Sequence, residues 1–244
     1  MAERWYAGVD GCRAGWFVIL LGYRGAQLVA LRHRLCTGFD AVPALAERPA
    51  RIAVDMPIGL LAAAQPGGRS CDRAARRCLG QRRASVFSPP ARPVLGARTY
   101  PEALRLSRAG SDAGLGLSRQ AFNLLPKLRE LDACLSPARQ GYIVEAHPEL
   151  AFLHLAGSPM RHNKKRAEGR AERLALLERA LGRWLPELEA VRRDYGAQRL
   201  APDDSIDACV LAWVARQLDL GQARRLPEGA VEQDGKGLRM EIWY

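Results

Sequence analysis

The spacing of apolar and polar residues predicts a β-rich start to the chain. Two short apolar runs, Trp5–Asp10 and Trp16–Leu21, flank the turn-forming segment Gly11–Gly15, and Ala26–Leu35 carries alternating apolar residues. Short connections of this kind favour an antiparallel meander of three strands. Phe39–Glu47 then predicts a short helix. The next apolar run, Arg51–Asp55, predicts a fourth strand, which should lie parallel to a neighbour because a helix precedes it.

The middle of the chain has a different composition. Gln65–Arg83 is rich in Gly and Arg, and Ser88–Pro93 holds three prolines, which exclude regular structure there. We therefore interpret about 65–117 as an insertion with a short helix. Ser118–Leu135 has helical spacing with Ser118 as N-cap, and Pro126 is expected to kink or split that helix.

The remaining elements complete an α/β pattern. They are a strand at Gly141–Glu145, helices at Glu149–Ala156, Glu172–Trp184 and from Pro202 to about Leu218, and a tail, Ala230–Tyr244, with a hairpin signal at Asp234-Gly235. The order predicts a mixed five-stranded sheet with helices on both faces, helical insertions and a C-terminal β-hairpin. We interpret residues 1–244 as a single domain that carries the insertion.

Composition narrows the class of protein and its partners. The 244 residues are 48% hydrophobic and 26% charged, which is typical of a globular protein and excludes disorder and coiled coil for most of the chain. The net charge of +11 favours a polyanionic partner such as nucleic acid. The longest apolar run, Trp16–Leu21, is too short to cross a membrane. The six cysteines form no C-x-x-C pair, and the four histidines have no metal-ligand spacing, so we expect a reducing, cytoplasmic location.

Three acidic residues end apolar strands. Asp10, Asp55 and Glu145 each close a predicted strand, and parallel neighbouring strands would bring them to one edge of the sheet, where α/β folds bind ligands. A single acid in such a place is more often a turn former or a helix cap. Three together would repel one another unless a hard cation such as Mg²⁺ neutralised them.

The predicted helix after Pro202 supplies two more acids. At about 100° per residue, Asp207 flanks the apolar stripe and Asp204 lies further out; the stripe is Ile206, Cys209, Val210, Trp213 and Val214. An acid in the first turn can simply complement the helix dipole, which suits Asp204 better than Asp207. A buried-edge aspartate needs a partner, and a metal ion is one candidate.

Basic residues offer phosphate contacts. Arg73, Arg76, Arg82 and Arg83 lie in the Arg-rich segment, where a solvated helix face is an equal alternative. Arg13, in the turn after Asp10, and Lys127, after Pro126, could also reach a phosphate. Lys164-Lys165-Arg166 stands before a helix, where a structural role is expected. His147 could act as a general base or orient a neighbour, although a His-Pro pair after a strand is more often structural.

Taken together, these motifs resemble a family, the predicted RNase H-like nucleases called domain of unknown function family 429. The matching segments run in order along almost the whole chain and are Gly8–Trp16, Val54–Leu60, Cys71-Asp72, Ala75-Arg76, Leu79-Gly80, Ser85–Phe87, Gln120–Phe122, Pro126-Lys127, Glu145–Glu149, Asp207-Ala208 and Gly237–Trp243. The resemblance implies an RNase H-like fold and a divalent-metal nuclease site. Asp204–Ala208 is also similar to the D-x-x-D-A helix of RuvC-type resolvases. This similarity supports Asp207 as a metal ligand and, less strongly, Asp204.

The leading hypothesis is a nuclease that uses Mg²⁺ or Mn²⁺. Asp10 would bridge two cations, with Asp55, Glu145 and Asp207 as further catalytic ligands and Asp204 as an additional metal ligand. The alternatives are an actin-like ATPase or phosphotransferase, and a nucleic-acid-binding module without catalysis. The choice between DNA and RNA, the mode of cleavage and the oligomeric state stay open at this point.

Overall fold

The computed structural model describes residues 2–244, apart from the side chains at positions 183, 186, 187, 189 and 192. The strands are β1 (Arg4–Cys12), β2 (Gly15–Arg24), β3 (Gln27–Cys36), β4 (Arg51–Val54), β5 (Ile143–Glu145), β6 (Arg225–Leu226) and β7 (Ile242–Trp243). The helices are α1 (Ser70–Leu79), α2 (Tyr100–Ala109), α3 (Arg119–Asn123), α4 (Leu125–Cys134), α5 (Pro148–Ala156), α6 (Ala167–Leu181), α7 (Leu185–Tyr195) and α8 (Asp204–Asp219).

Five strands form one mixed sheet in the order β3-β2-β1-β4-β5. The first three strands pair antiparallel, whereas β1–β4 and β4–β5 pair parallel. This arrangement confirms the predicted α/β class and the mixed five-stranded sheet. The register aligns Val9 with Val54, and Val54 with Glu145.

The chain divides into two compact units. The first holds the five-stranded sheet and α5–α8 and consists of the chain up to Met56, residues 142–224 and residues 243–244. The second holds α1–α4 and consists of residues 57–141 and 225–242. The predicted insertion at about 65–117 lies inside the second unit.

Helix α8 covers one face of the sheet in the first unit. Alternate strand residues, among them Phe17, Ala53 and Val144, share a buried core with residues of α5–α8. The intervening residues face the other way, where Trp16 makes an edge-to-face contact with Phe39. Within this unit, a single turn of 3-10 helix at Phe39–Ala41 lies on that second face.

Several element boundaries differ from the sequence prediction. The helix predicted at Phe39–Glu47 is reduced to that one turn, because Pro43 cannot donate a backbone hydrogen bond inside a helix. Pro126 lies in the first turn of α4, and the predicted helix is divided into α3 and α4, with Ser118 capping α3 through its hydroxyl. The pattern of 185–195 gave no prediction, yet it forms α7.

At the C-terminus, the two-stranded sheet joins β6 to β7. Between them the chain turns at Asp234, beside an isolated antiparallel bridge from Gln233 to Arg239. The Asp234 carboxylate accepts hydrogen bonds from the backbone N–H of Leu60, Lys236 and Leu238, all in the second unit. Within residues 2–244, none of the helices has the length and apolar character needed to span a membrane.

Candidate active site

Asp10 is positioned by the close approach of β1 and α8. A Cβ atom on Gly8 would lie 1.9 Å from the carbonyl oxygen of Ala208, so only glycine lets the helix backbone rest on the strand there. At the far end of the helix, the Tyr6 hydroxyl donates to Asp219 over 2.8 Å. The helix therefore runs antiparallel to β1, and its first turn lies towards Asp10. Asp10 is two residues inside β1, and is not its last residue as the sequence predicted.

Asp55 lies beside Asp10 on the same face of the sheet. It follows β4 directly, and its backbone N–H donates to the carbonyl oxygen of Val9 over 2.9 Å. Because Val9 and Val54 are in register, Asp10 and Asp55 stand level on neighbouring parallel strands, Asp10 near the end of β1 and Asp55 directly after β4. Their side chains point to the face that α8 covers.

The acids of β1, β4 and α8 perturb one another. Burial raises the pKa of Asp10 well above its ordinary value, and the charges of Asp55, Asp207 and Asp204 raise it further. The pKa of Asp55 is raised by burial, against the opposing charges of His147 and Lys164. These four carboxylates, Asp10, Asp55, Asp204 and Asp207, are hereafter the acidic cluster.

The two aspartates in the first turn of α8, Asp204 and Asp207, both have a raised pKa. Burial raises the pKa of Asp207 to about 7, although the adjacent Lys164 lowers it. Burial also raises the pKa of Asp204 to about 6, while a hydrogen bond from the Ala201 backbone lowers it. Asp207 is only 1% exposed, in agreement with its predicted place beside the apolar stripe.

Lys164 is the basic partner of the cluster. Its Nζ lies 2.5 Å from Oδ2 of Asp207 and 3.1 Å from Oδ2 of Asp203. The other carboxylate oxygen of Asp207, Oδ1, is buried and has no hydrogen-bond partner among the described residues. The sequence pattern predicts only a structural role for Lys164 before a helix and does not indicate this contact.

Glu145 does not join the cluster. The register sets Glu145 level with Val54. Val144 and Ala146 face the α8 side of the sheet, so the side chain of Glu145, which lies between them, faces away from Asp10 and Asp55. Glu149, in the first turn of α5, is the acid that reaches the site, since its charge raises the pKa of Asp55. One oxygen of Glu149 accepts a hydrogen bond from buried Arg173; the other, Oε2, is buried without a partner in the described part of the chain.

The donor chemistry fits a hard divalent cation. Mg²⁺ and Mn²⁺ prefer carboxylate oxygens, and the partnerless Oδ1 of Asp207 is a buried oxygen of this type. Within residues 2–244, however, no three His, Cys, Asp or Glu side chains already surround a common point. A cation would therefore have to draw carboxylates of the cluster together.

Among the basic residues predicted to bind phosphate, Arg13 lies near the cluster. It is exposed in the turn after β1, and its charge lowers the pKa of Asp204. An exposed guanidinium beside the acids is suitably placed to meet an anionic ligand.

The other predicted phosphate contacts belong to the second unit. Arg76 donates to the carbonyl oxygens of Gly67 and Val86 and to the Ser88 hydroxyl, and Arg73 donates to the carbonyl oxygen of Gly68. These two guanidinium groups hold loops together. Arg83 is exposed, whereas Arg82 and Lys127 are half-buried.

Comparison with known proteins gives one match. The family model described as "Protein of unknown function (DUF429)" matches residues 8–232, a span that includes every member of the acidic cluster as well as Lys164. No curated protein and no solved structure matches the sequence.

Proposed function

The chain belongs to the DUF429 family of proteins of unknown function, and we propose that it is a metal-dependent nuclease with an RNase H-like fold. The observation that carries this proposal is the buried Oδ1 of Asp207, which has no partner in the described residues although it lies within a cluster of four carboxylates. Burying such an oxygen unsatisfied is costly, and a divalent cation would satisfy it.

The fold is proposed on the order of the elements. Acids stand near the end of strand 1 and directly after strand 4 of a mixed five-stranded sheet, and a further pair lies on a helix that follows the strands. This is the arrangement that the resemblance to RNase H-like and RuvC-type nucleases implies. The net charge of +11 supports a nucleic acid as the partner.

Each residue of the site has a role in this proposal. Asp10, Asp55 and Asp207 would hold Mg²⁺ or Mn²⁺, with Asp204 at the margin. Such an ion, when bound, lowers the pKa of a water molecule and neutralises charge on a phosphate. Burial of Asp207 on the first turn of α8 fixes its carboxylate, and His147 lowers the pKa of Asp55 and so favours its ionised form.

Arg13 has a separate role, because it is exposed. Its guanidinium would contact a phosphate on the solvent side of the cluster, where it is free to make two parallel hydrogen bonds. We expect this contact to orient the nucleic-acid backbone and not to recognise its sequence.

The test is a cleavage assay on single- and double-stranded DNA and RNA with Mg²⁺ or Mn²⁺. The parent protein should cut at least one substrate, and Asp207→Asn should cut it about 100-fold or more slowly, since an amide is a poor replacement for an ionised ligand. Asp40→Asn removes the same charge from an exposed position of the first unit and should leave the rate unchanged.

Failure of the parent to cut any of the four substrates would overturn the nuclease proposal. The same preparation should then be assayed for ATP hydrolysis and for salt-sensitive binding of nucleic acid. Metal-dependent ATP hydrolysis would favour the phosphotransferase, and binding alone would favour the non-catalytic module.

A further inference from the structure

Lys164 is held over the acidic cluster by a segment anchored to α6. The backbone N–H groups of Arg161 and His162 donate to the Glu172 carboxylate over 2.8 and 3.0 Å. Arg173, buried in the same helix, donates to the carbonyl oxygen of His162 over 3.2 Å. These contacts fix the chain immediately before Lys164.

A glycine brings the same segment close to the helix. A Cβ atom on Gly169 would lie 2.0 Å from the carbonyl oxygen of Asn163, so the residue before Lys164 packs directly on the backbone of α6. The backbone that carries Lys164 is therefore anchored to α6. This anchoring positions the ammonium group of Lys164 at the acidic cluster.

The ammonium group of Lys164 contacts one of the two carboxylate oxygens of Asp207 and not the other. Oδ2 accepts a hydrogen bond from Lys164, which also forms an ion pair with Asp203. Oδ1 is buried without a partner among the described residues. A divalent cation bound at Oδ2 would meet a positive charge already there, and in a partly buried site this repulsion is strong. Oδ1 faces no such competitor.

We propose that Lys164 takes the place of one of the two cations expected in such a site, so that the acidic cluster binds a single divalent ion through Asp207 Oδ1. The inference rests on the metal site of the proposed function and makes it more specific. Lys164 is in this view a positioning residue: it keeps Asp207 oriented and neutralises Asp203, which lies next to the cluster. Asp10 and Asp55 then remain as the other carboxylates for the ion.

The test measures the stoichiometry of Mn²⁺ binding by calorimetry and by the electron paramagnetic resonance of the free ion. The parent protein should bind one Mn²⁺ per chain. Lys164→Met, which keeps the aliphatic stem but removes the charge, should bind a second Mn²⁺ or bind the first about tenfold more tightly. Lys164→Arg keeps the charge and should behave as the parent does.

Lys165→Met is the matched control. Lys165 is exposed and lies next to Lys164 in the sequence, so the substitution removes an equal charge away from the carboxylates. It should leave the stoichiometry and the affinity for Mn²⁺ unchanged. An equal response of the two methionine variants would assign the effect to net charge and overturn the inference.

Other outcomes are equally decisive. Two Mn²⁺ ions in the parent protein would overturn the inference even if Lys164→Met failed to fold, as would an unaltered stoichiometry and affinity in a folded Lys164→Met. Absence of Mn²⁺ binding in both proteins would also overturn it. A parent that binds one Mn²⁺ but cuts no nucleic acid would leave the Lys164 inference standing while the nuclease proposal fails.

Discussion

Gly8 in β1 and Ala208 in α8 approach so closely that a Cβ atom on the glycine would lie 1.9 Å from the carbonyl oxygen of the alanine. The same hypothetical Cβ would lie 2.2 Å from the backbone nitrogen of Ala212. Both neighbours are backbone atoms of a packed helix, so they cannot rotate away as a side chain could. The contact fixes the depth at which α8 rests on the sheet, and with it the position of Asp207 relative to Asp10.

Gly8→Ala is therefore expected to destabilise the protein strongly, by about 3 kcal/mol or more, because overpacking against backbone forces the helix away from the sheet. Equilibrium unfolding in urea measures the change. Gly229→Ala, at a site where a Cβ meets nothing within 4 Å, is the control and should change stability by less than about 0.5 kcal/mol. A Gly8→Ala protein as stable as the control would show that the contact is not close in solution.

The raised pKa of Asp207 predicts a pH-dependent loss of stability without divalent cation. Its pKa is near 3.8 in the unfolded chain and about 7 in the fold, so folding favours the protonated carboxyl. The contribution of protonated Asp207 to the free energy of unfolding is fully present below about pH 4 and is lost as the pH rises through about 7.

Asp207→Asn cannot ionise, so between about pH 4 and about 7 it should lose less stability than the parent, by about 1 kcal/mol or more. Urea unfolding across this range, with a chelator present, makes the comparison. Titration of groups outside the acidic cluster, such as His33, is common to both proteins and cancels, and the smaller pKa shift of Asp10 in the variant acts in the same direction. Parallel pH profiles would show that Asp207 ionises normally.

Arg76 and Arg83 are expected to have different roles: Arg76 stabilises the fold, and Arg83 contacts a phosphate. The Arg76 guanidinium makes hydrogen bonds of 2.6–3.0 Å to two carbonyl oxygens and a hydroxyl, so Arg76→Ala should cost about 1–3 kcal/mol of stability. It should leave the salt dependence of the proposed nucleic-acid binding unchanged.

Arg83 is exposed, and Arg83→Ala should do the reverse. If Arg83 contacts a phosphate of duplex DNA, its loss should reduce the slope of log affinity against log salt by about 0.9 while stability stays the same. Binding titrations at several salt concentrations decide the matter. A flattened slope in Arg76→Ala without loss of stability would reverse the two roles.

The sequence predicts those parts of the site that depend on local pattern. Asp10 and Asp55 follow from apolar runs that end in acids, together with the rule that a strand after a helix returns parallel to its neighbour. Asp207 follows from the angular position of an acid beside an apolar stripe. Each of these inferences needs only a few consecutive residues.

The parts that were missed depend on tertiary structure. The Lys164–Asp207 contact joins residues 43 positions apart and requires the packing of 161–163 on α6, which no periodicity encodes. Glu145 was misplaced because a strand end identifies an edge of the sheet but not a face. A difference of one residue in register reverses the direction of the side chain.

The last prediction separates the two glutamates that flank His147. Glu149 influences Asp55 and has a buried oxygen without a partner in the described structure, so Glu149→Gln should weaken Mn²⁺ binding about tenfold or more. The amide oxygen of glutamine can still accept from Arg173, so the fold should be retained. Glu145→Gln removes the same charge from the opposite face of the sheet and should change the Mn²⁺ affinity by less than about twofold, because sheet backbone separates it from the cluster. Calorimetric titration of both variants with Mn²⁺ gives the comparison. If Glu145→Gln weakens binding as much as Glu149→Gln does, Glu145 belongs to the metal site and its side chain lies on the same face of the sheet as Asp55.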